Sequence, residues 1–596
     1  MNILLTAINA KYIHSNLAVY SLRACAGEYR DAVELAEYTI NNQKDYILEE
    51  LYKRKPDVLC FSCYIWNIDY VTDIAREYKK LCPSVPIWVG GPEVSYEVEA
   101  FLRENPYIDG VMIGEGEDTF RELCGYYAHK RKLIDIAGIA FRKKSADGKA
   151  GEIVFTSPRP IKNMSEIPFC YDTLDDFSNR IIYYESSRGC PFSCSYCLSS
   201  VDKTLRFRDT EIVKRELKFF IDQKVPQIKF VDRTFNCNHA HAMELWRFIK
   251  ANDNGVTNFH FEISADLLNQ EELELISDMR PGLIQLEIGV QSTNEVTIKE
   301  IHRTMKLERL KEVVKLIQSG NNIHEHLDLI AGLPYEDYDS FGRSFDEIYE
   351  LKPNQLQLGF LKVLKGSYMF EHAAEYGIVY HDKPPYEVMS TKWLSFDDVI
   401  KIKRVEDMLE VYYNSGQFEI TMKLMECIFD SAFEFFQELG DFYEANGYFG
   451  MSHSRIRRCE ILLEFLALYL HGCDNDAMTS VVLSENDGDR DNTDFDENAQ
   501  IYSMIQESLI FDLYYRENCK SRPRWAADIG SFKHMTHAYC KNGKLSHVEP
   551  FHYIFPDKHM RKLDELPKYH KEPVWALFHY DMRDPLDHQA LVEYIE

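Results

Sequence analysis

The chain has 596 residues, of which 45% are hydrophobic and 28% charged, and its formal net charge at pH 7 is −28. This length predicts several domains rather than one hydrophobic core. The acidic balance argues against a nucleic-acid substrate, because a negative surface repels phosphate backbones. The start, MNILLTAINAKYIHS, is typical of a β-strand rather than of a signal peptide, and no stretch approaches the roughly 18 apolar residues of a membrane span. We therefore expect a cytoplasmic protein without membrane contact, whose 15 cysteines are reduced thiols.

Residues 1–145 alternate short apolar segments with helical ones, which predicts a doubly wound, Rossmann-like α/β domain. NILLTAI, DVLCFSCY, PIWVGG and GVMIGEG are its predicted strands, and IDYVTDIAREYKKLC and SYEVEAFLREN are predicted helices. Ligands of such sheets bind at the carboxyl ends of the strands. The small and polar residues expected there are Ser62, Asn67, Gly90, Gly91, Gly114 and Gly116.

Residues 146–180 have the composition of a hairpin and linker, and a second alternating series follows over 181–370. Its six predicted strands are IIYYES, QIKFVD, FHFEIS, LIQLEIGV, HLDLIAG and QLQLGFLK. Six β/α units predict a partial (β/α)6 TIM barrel with its site at the carboxyl ends of the strands. Residues 371–596 show longer amphipathic patterns, so we expect a mainly helical region of unknown role, with helices capping the barrel mouth.

Three closely spaced cysteines follow the first barrel strand, in YYESSRGCPFSCSYCLSS. Cys190, Cys194 and Cys197 supply three thiolates, and iron–sulfur clusters favour thiolate ligands. With three ligands, a four-iron cluster keeps one iron open for another molecule. A structural zinc site is the alternative, but zinc commonly takes four ligands as two close pairs, and no second pair lies nearby.

The spacing CxxxCxxC, with the aromatic Tyr196 before the last cysteine, resembles the signature of the radical S-adenosylmethionine (SAM) superfamily. TLRFRDTEIVKREL resembles the segment after the cluster loop, with Arg206 and Arg208 as its basic residues. Other strand ends also resemble family motifs, in FVDRTFN, FEISADLL, LEIGVQS and LDLIAGLPYED. The resemblance implies SAM contacts there from Asp232, Glu262, Gln291, Ser292 and Gly332. Asp232 as a helix cap and Glu262 as a salt-bridge partner remain open alternatives.

The segments SCYIWN, VGGPEVS and IGEGED, at three successive strand ends, resemble a cobalamin-binding domain. There, glycines let the backbone approach a bulky corrin. The Asp-x-His-x-x-Gly motif that coordinates cobalt in some cobalamin proteins is absent, since Tyr12 and Leu17 occupy the flanking positions of His14. His14 is thus either a cobalt ligand or a hydrogen-bonded loop residue. NAKYIHSN and the long tail together resemble a bacterial branch of the cobalamin-binding radical SAM proteins for which no substrate is established.

The resemblance implies a 4Fe–4S cluster that cleaves SAM reductively, with cobalamin as a further cofactor. It favours a methyltransferase acting on an unactivated carbon or phosphorus centre, with a small-molecule or peptide substrate and an electron donor such as flavodoxin or ferredoxin. A cyclase, a rearrangement enzyme or an oxidative enzyme is the alternative within the class. A methylthiotransferase fits less well, because Asn9 and Lys11 stand where that branch has a cysteine. A cobalamin-responsive binding protein with a structural cluster is the remaining alternative.

Overall fold

A computed structural model describes residues 1–143, 151–177, 179–201, 203–471, 497–540, 545–555, 563 and 565–595. The described residues form a seven-stranded sheet, then a six-stranded parallel sheet, then a C-terminal region of helices and a three-stranded sheet. No helix among these described ranges is long and apolar enough to cross a membrane.

The N-terminal sheet has the strand order β2-β1-β3-β4-β5-β6-β7. Its strands are β1 (Ile3–Asn9), β2 (Val33–Thr39), β3 (Val58–Ser62), β4 (Ile87–Gly90), β5 (Gly110–Met112), β6 (Ile139–Arg142) and β7 (Ile153–Phe155). The first five are parallel, and helices α1 (Leu17–Cys25), α2 (Lys44–Arg54), α3 (Ile68–Leu81), α4 (Val98–Glu104) and α5 (Glu117–Tyr127) connect or follow them. Every residue of β1 is buried, as expected of a strand covered on both faces.

The predicted doubly wound domain is confirmed, and the structure extends it in two places. The edge strand β2 was not among the predicted strands, because VELAEYT mixes buried with half-buried positions instead of forming one apolar run. Strands β6 and β7 pair antiparallel at the other edge, so the sheet continues to Phe155, beyond residue 145. The sequence placed a hairpin within residues 146–180, whereas the structure pairs β7 of that range with β6, which lies before residue 145.

The second sheet is the predicted partial barrel, with strand order β15-β14-β13-β12-β11-β8 and parallel pairing throughout. Its strands are β8 (Ile182–Tyr184), β11 (Gln227–Phe230), β12 (Asn258–Ile263), β13 (Ile284–Gln291), β14 (His324–Ala331) and β15 (Gln355–Phe360). Its helices are α6 (Thr210–Asp222), α7 (His239–Ala251), α8 (Gln270–Ser277), α9 (Glu295–Glu300), α10 (Leu307–Ser319) and α11 (Tyr338–Tyr349). Between β8 and α6, a two-stranded ribbon of β9 (Ser187–Arg188) and β10 (Arg206–Phe207) carries the cysteine loop.

The N-terminal domain also contacts the edge strand β8. Residue 14 forms an isolated parallel bridge with residue 181, and the Ile181 N–H donates to the Ile13 carbonyl at 2.8 Å. The Ser15 hydroxyl donates to the Ile181 carbonyl at 2.8 Å. The loop after β1 therefore continues the edge of the barrel sheet.

The C-terminal region is largely helical, as predicted. It comprises α12 (Tyr368–His372), β16 (Val379–Tyr380), β17 (Val388–Ser390), α13 (Phe396–Leu409), α14 (Glu419–Met425), α15 (Ala432–Ala445), α16 (Arg455–His471), α17 (Glu497–Arg516), α18 (Lys533–Tyr539), β18 (Ser546–Tyr553), β19 (Tyr569–Arg583) and β20 (Ala590–Ile595). The last three strands form an antiparallel sheet that packs on α17, an element that the sequence patterns did not predict.

The helices of this region pack against the barrel's outer helix α11. Asp346 on α11 accepts hydrogen bonds from the Ser431 hydroxyl at 2.7 Å and from the Phe433 backbone at 2.8 Å. The segment that reaches the N-terminal domain is instead the stretch from Lys362 to β17, where the Tyr386 hydroxyl donates to Glu93. This segment contains helix α12 as well as strands β16 and β17, and the helical cap over the barrel mouth stays a prediction.

Candidate functional site

The three cysteines lie together in the loop that the ribbon β9–β10 carries. Cys190 and Cys194 are buried and Cys197 is half-buried, and all three are free thiols. Burial raises the pKa of the Cys190 thiol, and the nearby Cys197 and Cys194 thiols raise it further. Gly189 makes the turn into the loop with φ +91°, and a Cβ there would lie 2.5 Å from the Thr204 carbonyl. Position 189 therefore requires glycine.

Backbone hydrogen bonds hold the middle of this loop against the barrel. The Ser195 N–H donates to the Ile301 carbonyl, and the Met369 N–H donates to the Ser195 carbonyl, each at 2.9 Å. Among the described residues, no three His, Cys, Asp or Glu side chains converge tightly enough to ligate a single metal ion. A four-iron cluster needs its ligands further apart, with one thiolate on each of three irons. Three free cysteines on one short loop fit that arrangement.

Arg303 is the charged residue next to the cysteine loop, and sequence analysis missed it. Its Nη1 lies 3.8 Å from Cys194 Sγ and 3.3 Å from the Tyr196 hydroxyl, and its Nη2 donates to the Gly289 carbonyl. Its Nε is buried and has no hydrogen-bond partner among the described residues. The only sequence signal was its place in IHRTM, just after the helix that follows the LEIGVQS strand. The structure thus brings Tyr196 and an unpredicted guanidinium together beside the thiols.

Gln291 and Ser292 end strand β13 but face different surroundings. Gln291 has φ +79° at a register shift against β14, and its Oε1 is buried without a partner among the described residues. Ser292 is fully buried, and its hydroxyl donates to Glu336 Oε1 at 2.7 Å. Gln291 therefore keeps an unused acceptor for a ligand, whereas Ser292 is engaged within the protein.

Asp232 is fully buried under the cysteine loop. Its oxygens accept from the Ser186 N–H at 2.9 Å and from the Ser186 and Ser187 hydroxyls at 2.6 Å each. Burial raises the pKa of this carboxyl to about 6 in spite of these bonds. The Asp232 carboxylate oxygens thus accept from the backbone and hydroxyl groups of the segment before Arg188. Because they are buried in these bonds, they are not exposed to a ligand.

Glu262 lies on β12 among other polar side chains that line the inside of the barrel. Burial, and then the neighbouring Glu287 carboxylate, raise the pKa of Glu262 to about 7. Burial also acts on Glu287, but the hydrogen bond from His260 and the charge of Lys229 lower its pKa to about 2. Lys229 and His260 lie 2.8 and 2.9 Å from Glu287 Oε2, so the salt-bridge partner in the barrel is Glu287 rather than Glu262. Among the described residues, Glu262 is not part of this ion-pair set.

Asp328, on β14, is a second carboxyl of this interior that sequence analysis did not single out. It lies 3.1 Å from His326 Nε2, and burial raises its pKa above the usual range although His326 opposes this. Gly332, four residues further on, has φ +87° and packs against the side chain of Val388 in the C-terminal region. The glycine thus allows β17 to approach the barrel.

The glycines predicted for cobalamin contact lie at the carboxyl ends of β4 and β5. Gly114 is exposed with φ +73°, and a Cβ there would meet no atom within 4 Å. Gly91 has φ +122° and packs on the backbone of Cys63, while a Cβ at Gly116 would lie 2.9 Å from Leu22. Gly90 is half-buried beside Met112. Gly114 therefore offers open backbone to a ligand, whereas the other three glycines permit close packing.

Ser62 and Asn67 are buried and stabilise this edge from within. Asn67 donates to the Ile8 and Ser62 carbonyls at 3.0 Å each, and its Oδ1 accepts from the Tyr64 N–H at 2.8 Å. Ser62 Oγ accepts from Asn16 Nδ2 at 3.3 Å. Between Ser62 and Asn67 in the chain lies the exposed Trp66, whose ring stacks on Tyr64 with centroids 4.5 Å apart.

His14 faces the barrel. Its Nδ1 is 2.6 Å from the Tyr183 hydroxyl on β8, and burial and then the charges of Lys11 and Lys229 lower its pKa. His14 is thus hydrogen-bonded through Nδ1, and a role as a cobalt ligand through its other ring nitrogen stays open.

The two predicted cofactor regions contact each other through charges. Arg188, at the start of the cysteine loop, lies 2.8 Å from Glu117 and 3.4 Å from Glu115 of the IGEGED segment. Arg206 lies 2.5 Å from Glu115, while Arg208 pairs with Glu216 on helix α6. The carboxyl end of the first sheet therefore meets the loop with the three thiols.

Three family models match successive parts of the chain. The B12 binding domain matches residues 3–124, the Radical SAM superfamily matches 184–348, and a family described as protein of unknown function (DUF4080) matches 374–590. The chain therefore contains a B12-binding domain and a radical SAM domain, the two domains that together define the cobalamin-binding class of radical SAM proteins. The cofactors of this class are a 4Fe–4S cluster, SAM and cobalamin.

Individual similarities agree with this class. TokK of Streptomyces tokunonensis, a cobalamin-dependent radical SAM methyltransferase, is 28% identical over 346 residues, which are 55% of this chain and 49% of TokK. The anaerobic magnesium-protoporphyrin IX monomethyl ester cyclase of Rubrivivax gelatinosus is 23% identical over 344 residues, 55% of this chain and 60% of the cyclase. The chain thus aligns with about half of TokK and somewhat more of the cyclase.

The solved structure of the cobalamin-dependent SAM radical enzyme OxsB, with aqua-cobalamin and SAM bound, has the same fold. Its TM-score is 0.53 at 15% identity, over 86% of this chain and 79% of OxsB.

Proposed function

We propose that the protein is a cobalamin-dependent radical SAM methyltransferase that acts on an unactivated carbon or phosphorus centre. The observation that carries the proposal is the direct contact between the cobalamin-side loop and the cysteine loop, through Glu115, Glu117 and Arg188. Methyl transfer through cobalamin requires the two cofactors to face one substrate, and this contact brings their binding loops together.

In this proposal Cys190, Cys194 and Cys197 hold three irons of the cluster, and the fourth is left to SAM. Arg303 is placed to bind the carboxylate of SAM, because its guanidinium lies beside Cys194 and its Nε is unused. The unused Oε1 of Gln291 and the carboxyls of Glu262 and Asp328 supply acceptors for the amino and hydroxyl groups of SAM.

On the cobalamin side, Gly114 gives the nucleotide tail access to the backbone, and the stacked Tyr64 and Trp66 present a flat apolar surface to the corrin. When bound, the cluster and SAM supply a 5′-deoxyadenosyl radical, and cobalamin carries the methyl group. The chain itself fixes the distance between these groups, and the segment from Lys362 to β17 covers the mouth of the barrel.

A second candidate is a radical cyclase or oxidative enzyme, favoured by the similarity to the magnesium-protoporphyrin ester cyclase. Both candidates need the cluster and an external one-electron donor, for which we propose a flavodoxin or ferredoxin. They differ in whether the methyl group of SAM is consumed.

Product analysis separates the candidates. Protein reconstituted anaerobically with iron, sulfide and hydroxocobalamin is given SAM and a strong reductant, and the products are identified by mass spectrometry. The methyltransferase forms 5′-deoxyadenosine together with S-adenosylhomocysteine, and the latter requires cobalamin. Cys194→Ala abolishes 5′-deoxyadenosine. Formation of 5′-deoxyadenosine without S-adenosylhomocysteine would support the second candidate. If fully loaded protein formed neither product, both candidates would be rejected.

A further inference from the structure

The contact between the two cofactor loops is a compact cluster of buried charges. Arg188 donates through Nη2 to Glu117 Oε1 and to Glu185 Oε2, each at 2.8 Å, and through Nε to Glu185 Oε1 at 3.0 Å. Arg206 donates to Glu115 Oε1 at 2.5 Å and to the Lys162 carbonyl at 3.0 Å. Two arginines from the ribbon thus share three carboxylates, two of which belong to the N-terminal domain.

Burial makes these pairs interdependent. The side chain of Glu117 is 8% exposed and that of Arg188 is 21% exposed. A buried charge that loses its partner is strongly unfavourable, whereas exposed pairs contribute little. Glu117 is also the first residue of α5, where the positive end of the helix dipole stabilises a carboxylate and fixes its position.

The covalent neighbours of these residues are the two cofactor loops themselves. Arg188 is separated from Cys190 only by Gly189, whose conformation is fixed by the close approach of the Thr204 carbonyl. Glu115 lies between Gly114 and Gly116, at the end of β5. Arg188 and Arg206 are directly paired in the ribbon β9–β10, so the ribbon transmits a shift at either carboxylate to the start of the cysteine loop.

We propose that Arg188, Glu115 and Glu117 are positioning residues that couple cobalamin binding to the order of the cysteine loop. Because the coupling is thermodynamic, an ordered cysteine loop also strengthens cobalamin binding. The inference rests on the proposed function only in taking the IGEGED segment as part of the cobalamin site. It adds that the two cofactor sites do not fill independently.

Hydrogen–deuterium exchange of the full chain tests this without turnover. The readout is the exchange rate of the amides in 189–201, with and without hydroxocobalamin, in protein whose cluster has been reconstituted. We expect cobalamin to slow exchange in this loop about fivefold in the wild type, at the low end of measured allosteric couplings. Glu117→Gln and Arg188→Gln should remove that response and weaken cobalamin binding, measured by absorbance, by a similar factor.

Two further variants serve as controls. Arg188→Lys keeps the charge but not the forked geometry, so it should retain part of the response. Arg280→Gln removes a half-buried arginine that pairs with Asp253 at 2.8 Å, away from both cofactor loops, and should respond as the wild type does. Circular dichroism confirms that each variant is folded.

The outcomes separate this inference from the proposed function. Equal cobalamin protection of the loop in the wild type, Glu117→Gln and Arg188→Gln would overturn the coupling and leave the methyltransferase intact. Coupling without S-adenosylhomocysteine would support the inference and reject methyl transfer. A wild-type chain that binds no cobalamin would reject both.

Discussion

At the scale of single residues, Arg303 is the guanidinium that contacts the cysteine loop. It contacts Cys194, Tyr196 and the Gly289 carbonyl at once. A cation held this rigidly next to an open iron position is suited to a carboxylate ligand.

Arg303→Gln should therefore weaken SAM binding. Charge-assisted hydrogen bonds contribute about 1.5–3 kcal/mol, so the dissociation constant should rise about ten- to a hundredfold. Equilibrium binding of SAM to the reconstituted protein measures this. Arg309→Gln, which removes an arginine paired with Glu312 at 2.7 Å on the outside of the barrel, should leave the constant within about twofold. Equal affinity of Arg303→Gln and the wild type would show that Arg303 does not bind SAM.

The proposed role of Glu262 predicts that SAM binding depends on pH. Its pKa is raised to about 7, so the carboxyl is protonated below that pH and becomes an anion as the pH rises through it. If it accepts from the SAM ammonium, affinity should increase up to about tenfold between pH 6 and pH 8. Calorimetric titrations at several pH values test this, with Glu262→Gln expected to give a flat profile. The same slope in Glu262→Gln would assign the dependence to another group.

The linked effect on stability has the opposite sign. Since the folded-state pKa of Glu262 lies above its usual value, its contribution to folding is fully present below about pH 4.5 and is lost as the pH rises through about 7. The ionised Glu262 therefore lowers the free energy of unfolding at the pH at which it binds a cation best. Functional carboxyls commonly show such a shifted pKa.

Strand-end motifs predicted positions along the strands, but not what each side chain contacts. Gln291 keeps an unused acceptor among the described residues, whereas Ser292 and Asn67 are engaged within the protein. A motif fixes the position of a residue along a strand, but side-chain direction at a strand end depends on the turn that follows. Arg303 and Asp328 stayed hidden for the same reason, because only the closed sheet shows which groups converge.

At the scale of elements, the cysteine loop depends on the ribbon β9–β10. The ribbon consists of two residue pairs, Arg206 with Arg188 and Phe207 with Ser187, so a change at one residue affects a large part of its pairing. Gly189 provides the positive φ and the missing side chain that let the Thr204 carbonyl approach.

Gly189→Ala should disrupt this loop. Any side chain at φ +91° is strained, and this one would also collide with backbone, so we expect more than about 1 kcal/mol of destabilisation and loss of most bound iron. Iron and sulfide analysis after reconstitution, together with denaturant unfolding, measures both effects. Gly255→Ala is the matched control, because it shares positive φ (+74°) but has no atom within 4 Å of the added Cβ. Equal iron content in the two variants would contradict the account.

Strands with continuous apolar runs or with regular alternation of apolar and polar residues were predictable, and strands with irregular patterns were not. All six barrel strands and the four named strands of the first domain are present. Strand β2 is at an edge and partly exposed, and β18 to β20 combine polar and aromatic residues without clean alternation. Their strand pairing is decided by tertiary partners such as α17, a contact that the local sequence does not encode.

At the scale of the whole molecule, the N-terminal domain and barrel are joined through polar contacts that include His14 and Tyr183. We expect that His14→Ala leaves the absorbance spectrum of bound cobalamin unchanged and its affinity within about twofold, because the Tyr183 hydroxyl holds the imidazole against strand β8 of the barrel. Spectra of hydroxocobalamin-loaded wild type and His14→Ala test this, with Tyr183→Phe as a comparison that breaks the same hydrogen bond. A spectral shift in His14→Ala alone would identify His14 as a cobalt ligand.

The arrangement on which the other proposals depend is a SAM-binding iron–sulfur cluster and cobalamin held face to face by one chain. Its most direct test is electron paramagnetic resonance of the anaerobically reconstituted, chemically reduced protein, recorded with and without SAM and cobalamin. We predict the signal of a reduced 4Fe–4S cluster, which changes when SAM is added and is absent from Cys194→Ala. We also predict that the same protein binds cobalamin stoichiometrically. A cluster signal that is indifferent to SAM, or that persists in Cys194→Ala, would contradict the account.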